Sequence, residues 1–160
     1  MKSPIILFYI NEGADHLGRT HDEILNFSDD KFDACHDFIQ WLFPLHEESR
    51  MTDAAVPIIT KEDHEYFRKD EASQYMMEKS LHRFRKFLNN KGADFWCNNM
   101  DHNLLMITRV IRSLRLFGMN ERAEQFHDYV KDLAIIRSID KKTIEYWDRA
   151  LNEPMFNSLY

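Results

Sequence analysis

The sequence predicts an all-α protein, a single-domain orthogonal helical bundle of about six to seven helices that spans residues 1–160. Glycine and proline number only 4 each, so the chain lacks the turn residues of an all-β fold and favours long helices with few connections. Hydrophobic residues make up 44% of the chain and aromatic residues 13%, which is enough apolar side chain for one substantial core.

Capping residues mark where the helices of the N-terminal part begin. Ser3-Pro4 favours a short first helix, and an extended run through Tyr9 is the alternative. The stretch that starts at Thr20 has the capping-box pattern and begins a helix that ends near Phe27. Ser28-Asp29-Asp30 then caps a helix over residues 29–43, which ends before Pro44.

The remainder of the chain is also predicted to be helical, after a loop. Residues 45–59 show no helical period and are predicted to form that loop. The later helices are predicted from Thr60, with a restart at Asp70-Glu71 toward Leu88, and then over 101–117, 120–136 and 140–151, with a connection over 89–98. Gly118 suits the end of the 101–117 helix, because glycine adopts the left-handed conformation that ends many helices.

Residues 36–44 read His-Asp-Phe-Ile-Gln-Trp-Leu-Phe-Pro and are the most informative stretch of the chain. On a helical wheel, the 29–43 segment has one broad apolar arc, formed by Phe32, Cys35, Phe38, Ile39, Leu42 and Phe43. His36 and Gln40 are one turn apart and border this arc. They either hydrogen-bond to backbone and neighbouring helices, which fixes the packing, or line a pocket with Trp41 as its wall.

The predicted helix over 101–117 is apolar nearly all round, which is typical of a helix at the centre of a domain. We expect the fold to be built around this helix and the 29–43 helix. Asn103 falls within the main apolar arc, where its amide needs hydrogen-bond partners. Arg109 shares a face with leucines, so its guanidinium either pairs with a buried carboxylate or contacts an anionic ligand. The candidate carboxylates are Asp15, Asp33 and Asp37.

Composition and motifs disfavour several classes of protein. The apolar run over residues 5–10 is too short to span a membrane and lacks the flanks of a secretory signal. Two cysteines, Cys35 and Cys97, make neither a disulfide scaffold nor a zinc site, so we expect a cytoplasmic protein. Asp33-x-x-His36 has the spacing of metal ligands but no matching pair on a second helix, so we expect no metal and no cofactor.

Two basic stripes lie on a chain whose formal net charge is −6. One stripe shares a helix face and consists of Lys79, His82, Arg83 and Lys86, and the other recurs every third residue as Arg109, Arg112 and Arg115. Such stripes either contact phosphates or form solvated faces and intramolecular ion pairs. Through Arg112 and Arg115 they suggest a weak nucleic-acid binder, which the acidic net charge disfavours.

Two blocks of the sequence resemble a known family. His36 to Pro44 is similar to the signature of the opioid growth factor receptor conserved region, and so is the block from His102 to Gly118. Weaker similarities are Phe8-Tyr9, Asp15, Gly18-Arg19-Thr20 and Tyr146-Trp147. Met106 departs from the pattern, because the family has an arginine at the corresponding position.

The resemblance implies little about activity. The namesake of the family is a vertebrate receptor for the pentapeptide Met-enkephalin and has long additional segments. This chain is similar to the short microbial members, which consist of the conserved region alone and have no assigned biochemical activity. An opioid peptide is therefore implied as a partner by the family name only.

We predict a small helical module that binds an unidentified small ligand or protein. The residues expected to contact this ligand are His36, Gln40, Trp41, Asn103 and Arg109. An enzyme is the alternative, with His36 as acid or base and Arg109 stabilising the charge of a small anionic substrate. The apolar tail from Met155 to Tyr160 either folds back on the core or contacts a second subunit, which would make the protein a homodimer.

Overall fold

The computed structural model describes residues 1–47 and 57–155, and these residues form ten helices. The helices are α1 (Pro4–Tyr9), α2 (His21–Leu25), α3 (Asp29–Ala34), α4 (Ile39–Leu42), α5 (Lys61–Lys69), α6 (Glu71–Lys91), α7 (Ala93–Trp96), α8 (Asn103–Leu116), α9 (Asn120–Ile136) and α10 (Lys141–Asn152). The all-α class is confirmed. The helices outnumber the six or seven expected, because short segments such as α3, α4 and α7 are separate helices.

Several helices begin at a side-chain cap, at the positions that the sequence predicts. Ser3, Thr20 and Ser28 each accept a hydrogen bond from a backbone N–H in the first turn of α1, α2 and α3. Thr60 and Asp63 form a complete capping box at the start of α5. Asp70 ends α5 and caps α6, which confirms the predicted restart.

The predicted continuous helix over 29–43 is wrong, because the chain breaks into α3 and α4. Cys35 has extended backbone angles, and the His36 imidazole Nε2 lies 2.7 Å from the carbonyl oxygen of Asp33. The break allows the carboxylate of Asp37 to accept a hydrogen bond from Arg19. Phe38 still enters the core, as its place on the apolar arc predicts.

The loop predicted over 45–59 is closed by an isolated parallel bridge between Leu45 and Ile58. The backbone N–H of Ile59 donates to the carbonyl of Leu45 at 2.8 Å. This bridge brings the chain entering α5 beside the end of α4. Residues 48–56 of the loop lie outside the described residues.

Two helices organise the packing, and one of them differs from the expectation. Helix α8 packs against α9 and α10 and is buried on nearly all sides, as predicted for the 101–117 segment. The second is α6, against which α1, α2, α3, α5 and α7 pack, rather than the 29–43 segment. The described buried apolar residues form one core, which includes Phe67 and Phe117, stacked with ring centroids 4.1 Å apart.

The apolar tail is described only as far as Met155, which is partly buried against the core. The rest of the tail lies outside the described residues. Among the described residues, no helix is both long enough and apolar enough to cross a lipid bilayer.

Helix α8 ends in a left-handed glycine with hydrogen bonds that close its last turn. Gly118 has a φ of 76°, and its N–H donates to the carbonyl of Arg115 while that of Met119 donates to Leu114. This pattern is a Schellman motif. Two side chains from the α5–α6 region cap the remaining carbonyls: His64 contacts Leu116 O at 2.8 Å, and Gln74 donates to Phe117 O at 3.1 Å.

We expect Gly118→Ala to lower the free energy of unfolding by about 1–2 kcal/mol, because an L-residue is strained at a positive φ. The new Cβ would also lie 3.3 Å from Cγ of Arg68, which must move. Chemical denaturation followed by circular dichroism measures the change. Gly18→Ala is the control for the contact with Arg68: its φ of 78° imposes the same backbone strain, but its new Cβ would meet nothing within 4 Å, so it should lose less stability. An unchanged stability for Gly118→Ala would contradict the role given to this turn.

Candidate functional site

A groove of about 360 Å³ lies beside Trp41, between the beginnings of α1 and α5. Its lining is mostly apolar and consists of Ser3, Pro4, Ile5, Trp41, Pro57, Ile58, Thr60 and Asp63. Of the ligand residues predicted from the sequence, Trp41 is the one that lines this groove. Ile58 is 41% exposed at its edge.

The buried carboxylate of Asp63 holds the two helix beginnings of the groove together. It accepts a hydrogen bond from the Ser3 hydroxyl at 2.7 Å and another from the backbone N–H of Thr60 at 3.0 Å. Ser3 caps α1 and Thr60 caps α5, so one side chain links both caps. The polar part of the groove is therefore built from groups that are already hydrogen-bonded within the protein.

Trp41 is only 7% exposed, and its indole Nε1–H has no hydrogen-bond acceptor among the described residues. The indole ring packs edge-on against Phe8 at 5.5 Å and lies nearly parallel to the His16 imidazole at 6.3 Å. A buried donor without an acceptor costs about 1–3 kcal/mol. Trp41, a residue of the groove wall, thus carries a buried indole N–H that has no acceptor among the described residues.

The loop between α1 and α2 positions His16 on Trp41. The Asp15 carboxylate accepts hydrogen bonds from the backbone N–H groups of Leu17 and Arg19 at 3.0 and 2.9 Å, and from the Arg19 Nε at 2.8 Å. Arg19 also bonds Asp37 at 3.1 Å. This network orders the loop, and it occupies two of the three carboxylates that were candidates to pair with Arg109.

Arg109 is buried, but no carboxylate lies within 4 Å of its guanidinium among the described residues. Its Nε donates to the carbonyl of Phe43 at 2.7 Å. Burial, together with the positive charge of Arg112, lowers the pKa of Arg109 to about 10. The third candidate acid, Asp33, instead approaches His102 at 3.5 Å. The expected ion pair for Arg109 is therefore not found with any of the three candidate acids.

Gln40 and Asn103 are both enclosed rather than exposed in a groove. Gln40 is fully buried and Asn103 is 1% exposed, and neither lines the groove beside Trp41. The backbone N–H of Asn103 donates to the carboxylate of Asp101 at 2.8 Å, whereas its side-chain Nδ2 has no acceptor among the described residues. Their burial favours the structural interpretation of these two amides.

His36 lies on the surface, in the break between α3 and α4. Its ring centroid is 4.4 Å from that of His102, which directly precedes α8. Arg109 is seven residues further along, about 10 Å at the rise of an α-helix. The structure thus does not bring His36 and Arg109 to one small substrate.

The two arginines predicted to contact nucleic acid are engaged within the protein. Arg112 forms an ion pair with Glu47 at 2.8 Å, and Arg115 donates to the carbonyl of Ala150 at 2.7 Å. Both contacts correspond to the intramolecular alternative for this stripe. In the described part of the chain, no group of three or more histidine, cysteine or acidic side chains could hold a metal ion.

A buried polar cluster formed by Tyr9, His21 and Ser80 was missed by the sequence analysis. The Tyr9 hydroxyl bonds the carbonyl of Leu42 and lies 3.3 Å from the Ser80 hydroxyl, which is 2.9 Å from the His21 Nε2. All three residues are fully buried. The signal available in the sequence was the position of Ser80 on the apolar face of α6, one turn after Met76.

The hydrogen bonds of this cluster fit a neutral His21 that carries its proton on Nε2. When Ser80 donates its proton to the carbonyl of Met76 at 3.1 Å, it accepts from the His21 Nε2–H. The His21 Nδ1 has no hydrogen-bond partner among the described residues and carries no proton in this arrangement. Burial, with a contribution from the charge of Lys79, lowers the pKa of His21 to about 3.

A family model matches the first part of the chain. The chain belongs to the family of the opioid growth factor receptor conserved region, whose model matches residues 6–92, more than half of the 160 residues. The similar block from His102 to Gly118 lies beyond the matched residues, and its unusual Met106 is buried in the core. No curated protein matches the chain. The solved structures likewise provide no match.

We expect the protein to lose stability as the pH falls from 7 to 5, in part because of His21. The pKa of His21 is lower in the folded protein than in the unfolded chain, so protonation below about pH 6.5 favours unfolding. This histidine alone should lower the free energy of unfolding by about 2 kcal/mol between pH 7 and pH 5. Urea denaturation at the two pH values measures the loss.

His21→Gln is the control, since its amide N–H can reach Ser80 but does not titrate. The variant should lose less stability than the wild type over the same pH interval. If the variant is too unstable to measure, an NMR titration of the wild-type imidazole replaces it and should show a neutral ring at pH 5. A protonated ring at that pH would contradict the lowered pKa of His21.

Proposed function

We propose that this protein is a binding module, and that its ligand occupies the groove beside Trp41. The observation that carries this proposal is Trp41, which lines a mostly apolar groove and whose buried indole N–H lacks an acceptor among the described residues. A ligand carbonyl placed there would satisfy the donor and recover part of the cost of burying it. The module class agrees with the prediction from the sequence, with Trp41 as the main contact.

The size and lining of the groove suggest an apolar group joined to a hydrogen-bond acceptor. A volume of about 360 Å³ lies in the range of small-ligand pockets, which combine apolar walls with a few polar groups that orient the ligand. An aromatic or aliphatic side chain with its neighbouring backbone carbonyl has this chemistry. We therefore propose a short peptide segment as the ligand class. An opioid peptide is suggested as the ligand only by the name of the family. Met-enkephalin is a probe that tests this suggestion.

A second candidate function is anion binding at Arg109. The observation that favours it is a guanidinium that is 5% exposed and has no described carboxylate within 4 Å. Buried charges in proteins are usually paired, so an anion from solution would supply the missing partner.

The enzyme and nucleic-acid alternatives receive less support. A substrate shared by His36 and Arg109 would have to extend along two turns of α8. Arg112 and Arg115 already have partners within the protein, which leaves their stripe with less charge to offer a phosphate backbone.

We expect N-acetylphenylalaninamide to bind the groove and to shift the indole proton resonance of Trp41 in heteronuclear NMR spectra. The ring would fill the apolar part while a carbonyl accepts from Nε1. Trp96 and Trp147 serve as internal references, because both are buried and Trp147 already donates to Leu104 O at 3.0 Å. Trp41→Phe removes the donor and keeps an aromatic ring, and it should weaken binding by about tenfold.

Ile58→Glu should block the groove, since a charged side chain would replace an apolar edge. Ile136→Glu is the matched control, because Ile136 is 78% exposed on α9 and does not line the groove. Binding that survives Ile58→Glu, or that leaves the Trp41 resonance unmoved, would place the ligand elsewhere. Met-enkephalin is measured in parallel, and its failure to bind would argue against the opioid class only.

For the second candidate, we expect sulfate to raise the melting temperature of the wild type more than that of Arg109→Met. Methionine fills a similar volume without the charge, so it removes the anion contact. It also removes the hydrogen bond to the Phe43 carbonyl, so the shift in sulfate is taken for each protein relative to its own melting temperature in chloride. Differential scanning fluorimetry at matched ionic strength, with chloride as the reference anion, measures the difference. Equal shifts in both proteins would show that Arg109 does not bind the anion.

A further inference from the structure

A second groove, of about 430 Å³, runs along the exposed face of α6 beside the end of α2. Its lining consists of Leu25, Glu78, Lys79, His82, Arg83 and Lys86, and thus contains the whole first basic stripe of the sequence. The groove shares no residue with the groove beside Trp41. A ligand of this groove would therefore bind independently of one in the groove beside Trp41.

The acidic residue of this groove is already neutralised from outside. Glu78 forms an ion pair with Arg122 of α9, with its carboxylate oxygen 2.7 Å from the arginine Nε. The charge of Glu78 is therefore already compensated within the protein, and Glu78 forms no ion pair with the lysines of the groove among the described residues. Because Arg122 of α9 compensates the charge of Glu78 from outside the groove, the groove keeps a net positive charge.

Arg83 is a fixed part of the groove wall. Its Nε and Nη2 donate to the carbonyls of Leu25 and Phe27, at the end of α2 and just after it, at 3.2 and 2.9 Å. Its Nη1 lies 2.9 Å from the carboxylate of Asp29. These contacts hold α2 against α6 and fix the guanidinium within the groove wall, with its charge compensated by Asp29. A ligand would therefore depend mainly on the other three basic side chains.

Lys79, His82 and Lys86 are exposed, and none of them has a carboxylate within 4 Å among the described residues. The partner described for Lys79 is the ring of Tyr75, whose centroid is 5.0 Å from its Nζ. On a chain with a formal net charge of −6, two lysines and an imidazole left without described acids mark a local anion-attracting surface.

The spacing of these three residues indicates how many anionic groups they can hold. Residues three or four apart on a helix have Cβ atoms about 5–6 Å apart, so neighbouring pairs can grip one phosphate each. Lys79 and Lys86 are two turns apart, about 10 Å along the helix axis, which is too far for both to contact one phosphate closely. A ligand that contacts both lysines therefore needs two phosphate groups, one on each side of His82.

We propose that this groove binds a small molecule that carries two or more phosphate groups. Lys79 and Lys86 bind the outer phosphates, the imidazole of His82 donates between them, and Leu25 packs against the carbon part of the ligand. A volume of about 430 Å³ suits a small molecule rather than a long peptide. Phosphates also carry more charge per group than carboxylates, which matches two lysines without described acids.

Inorganic tripolyphosphate is the probe, and isothermal titration calorimetry at low salt measures its binding to the full chain. We expect one tripolyphosphate per chain and at least about tenfold weaker binding of orthophosphate, which can engage only one pair of donors. Lys79→Gln/Lys86→Gln keeps most of the side-chain length but removes both charges. It should weaken tripolyphosphate binding by at least about tenfold.

Lys141→Gln/Lys142→Gln is the matched control, because it removes the same charge from exposed positions on α10. Its affinity should stay within about twofold of the wild type. Equal losses in both double variants would overturn the proposal in favour of a general charge effect. Tighter binding of a hexaglutamate peptide would overturn it in favour of an acidic protein partner. Loss of tripolyphosphate binding in Arg109→Met alone would move the site to α8.

Discussion

Two hydrogen bonds join the end of the most recognisable motif to α8. The carbonyl of Phe43 accepts from Arg109 and that of Pro44 accepts from Ser113, at 2.7 and 2.9 Å. Both carbonyls follow the short helix α4, so no helical N–H reaches them, and both donors are buried. Since Arg109 and Ser113 are one turn apart, a single face of α8 satisfies both groups. Together with the stacking of Phe67 on Phe117, this contact docks the earlier helices onto the C-terminal three, so the rest of the fold depends on it.

This contact also accounts for the unusual environment of Arg109. A guanidinium that caps a buried carbonyl must lie inside the protein, away from the carboxylates that remain near the surface. The acids that were candidates to pair with it serve other contacts, as Asp15 and Asp37 do with Arg19. Arg109 is therefore a structural donor first, and any anion that binds it would do so in addition to this role.

The candidate site was predicted only in part, for reasons that particular residues illustrate. The wheel of the 29–43 segment identified its buried side chains but assumed a continuous helix. The break at His36 and Asp37 places Asp37 against Arg19, a contact with a residue 18 positions away that the local pattern does not report. Trp41 was predicted as a pocket wall and does line a groove, yet the other walls come from Ser3 to Ile5 and from residues 57–63. No local pattern could bring those segments together.

The sequence by itself determined the all-α class, most helix ends and the family. Caps, helical periodicity and Gly118 act through neighbours within a few residues, so local patterns are enough to predict them. Only the tertiary structure decided which polar residues are enclosed, which are paired and which are open to a ligand. Lys79 and Arg83 share one stripe, but α2 and the residues after it engage Arg83, whereas Lys79 has no acid among the described residues. Charge compensation depends on groups that meet across distant parts of the chain, and periodicity along one helix does not report them.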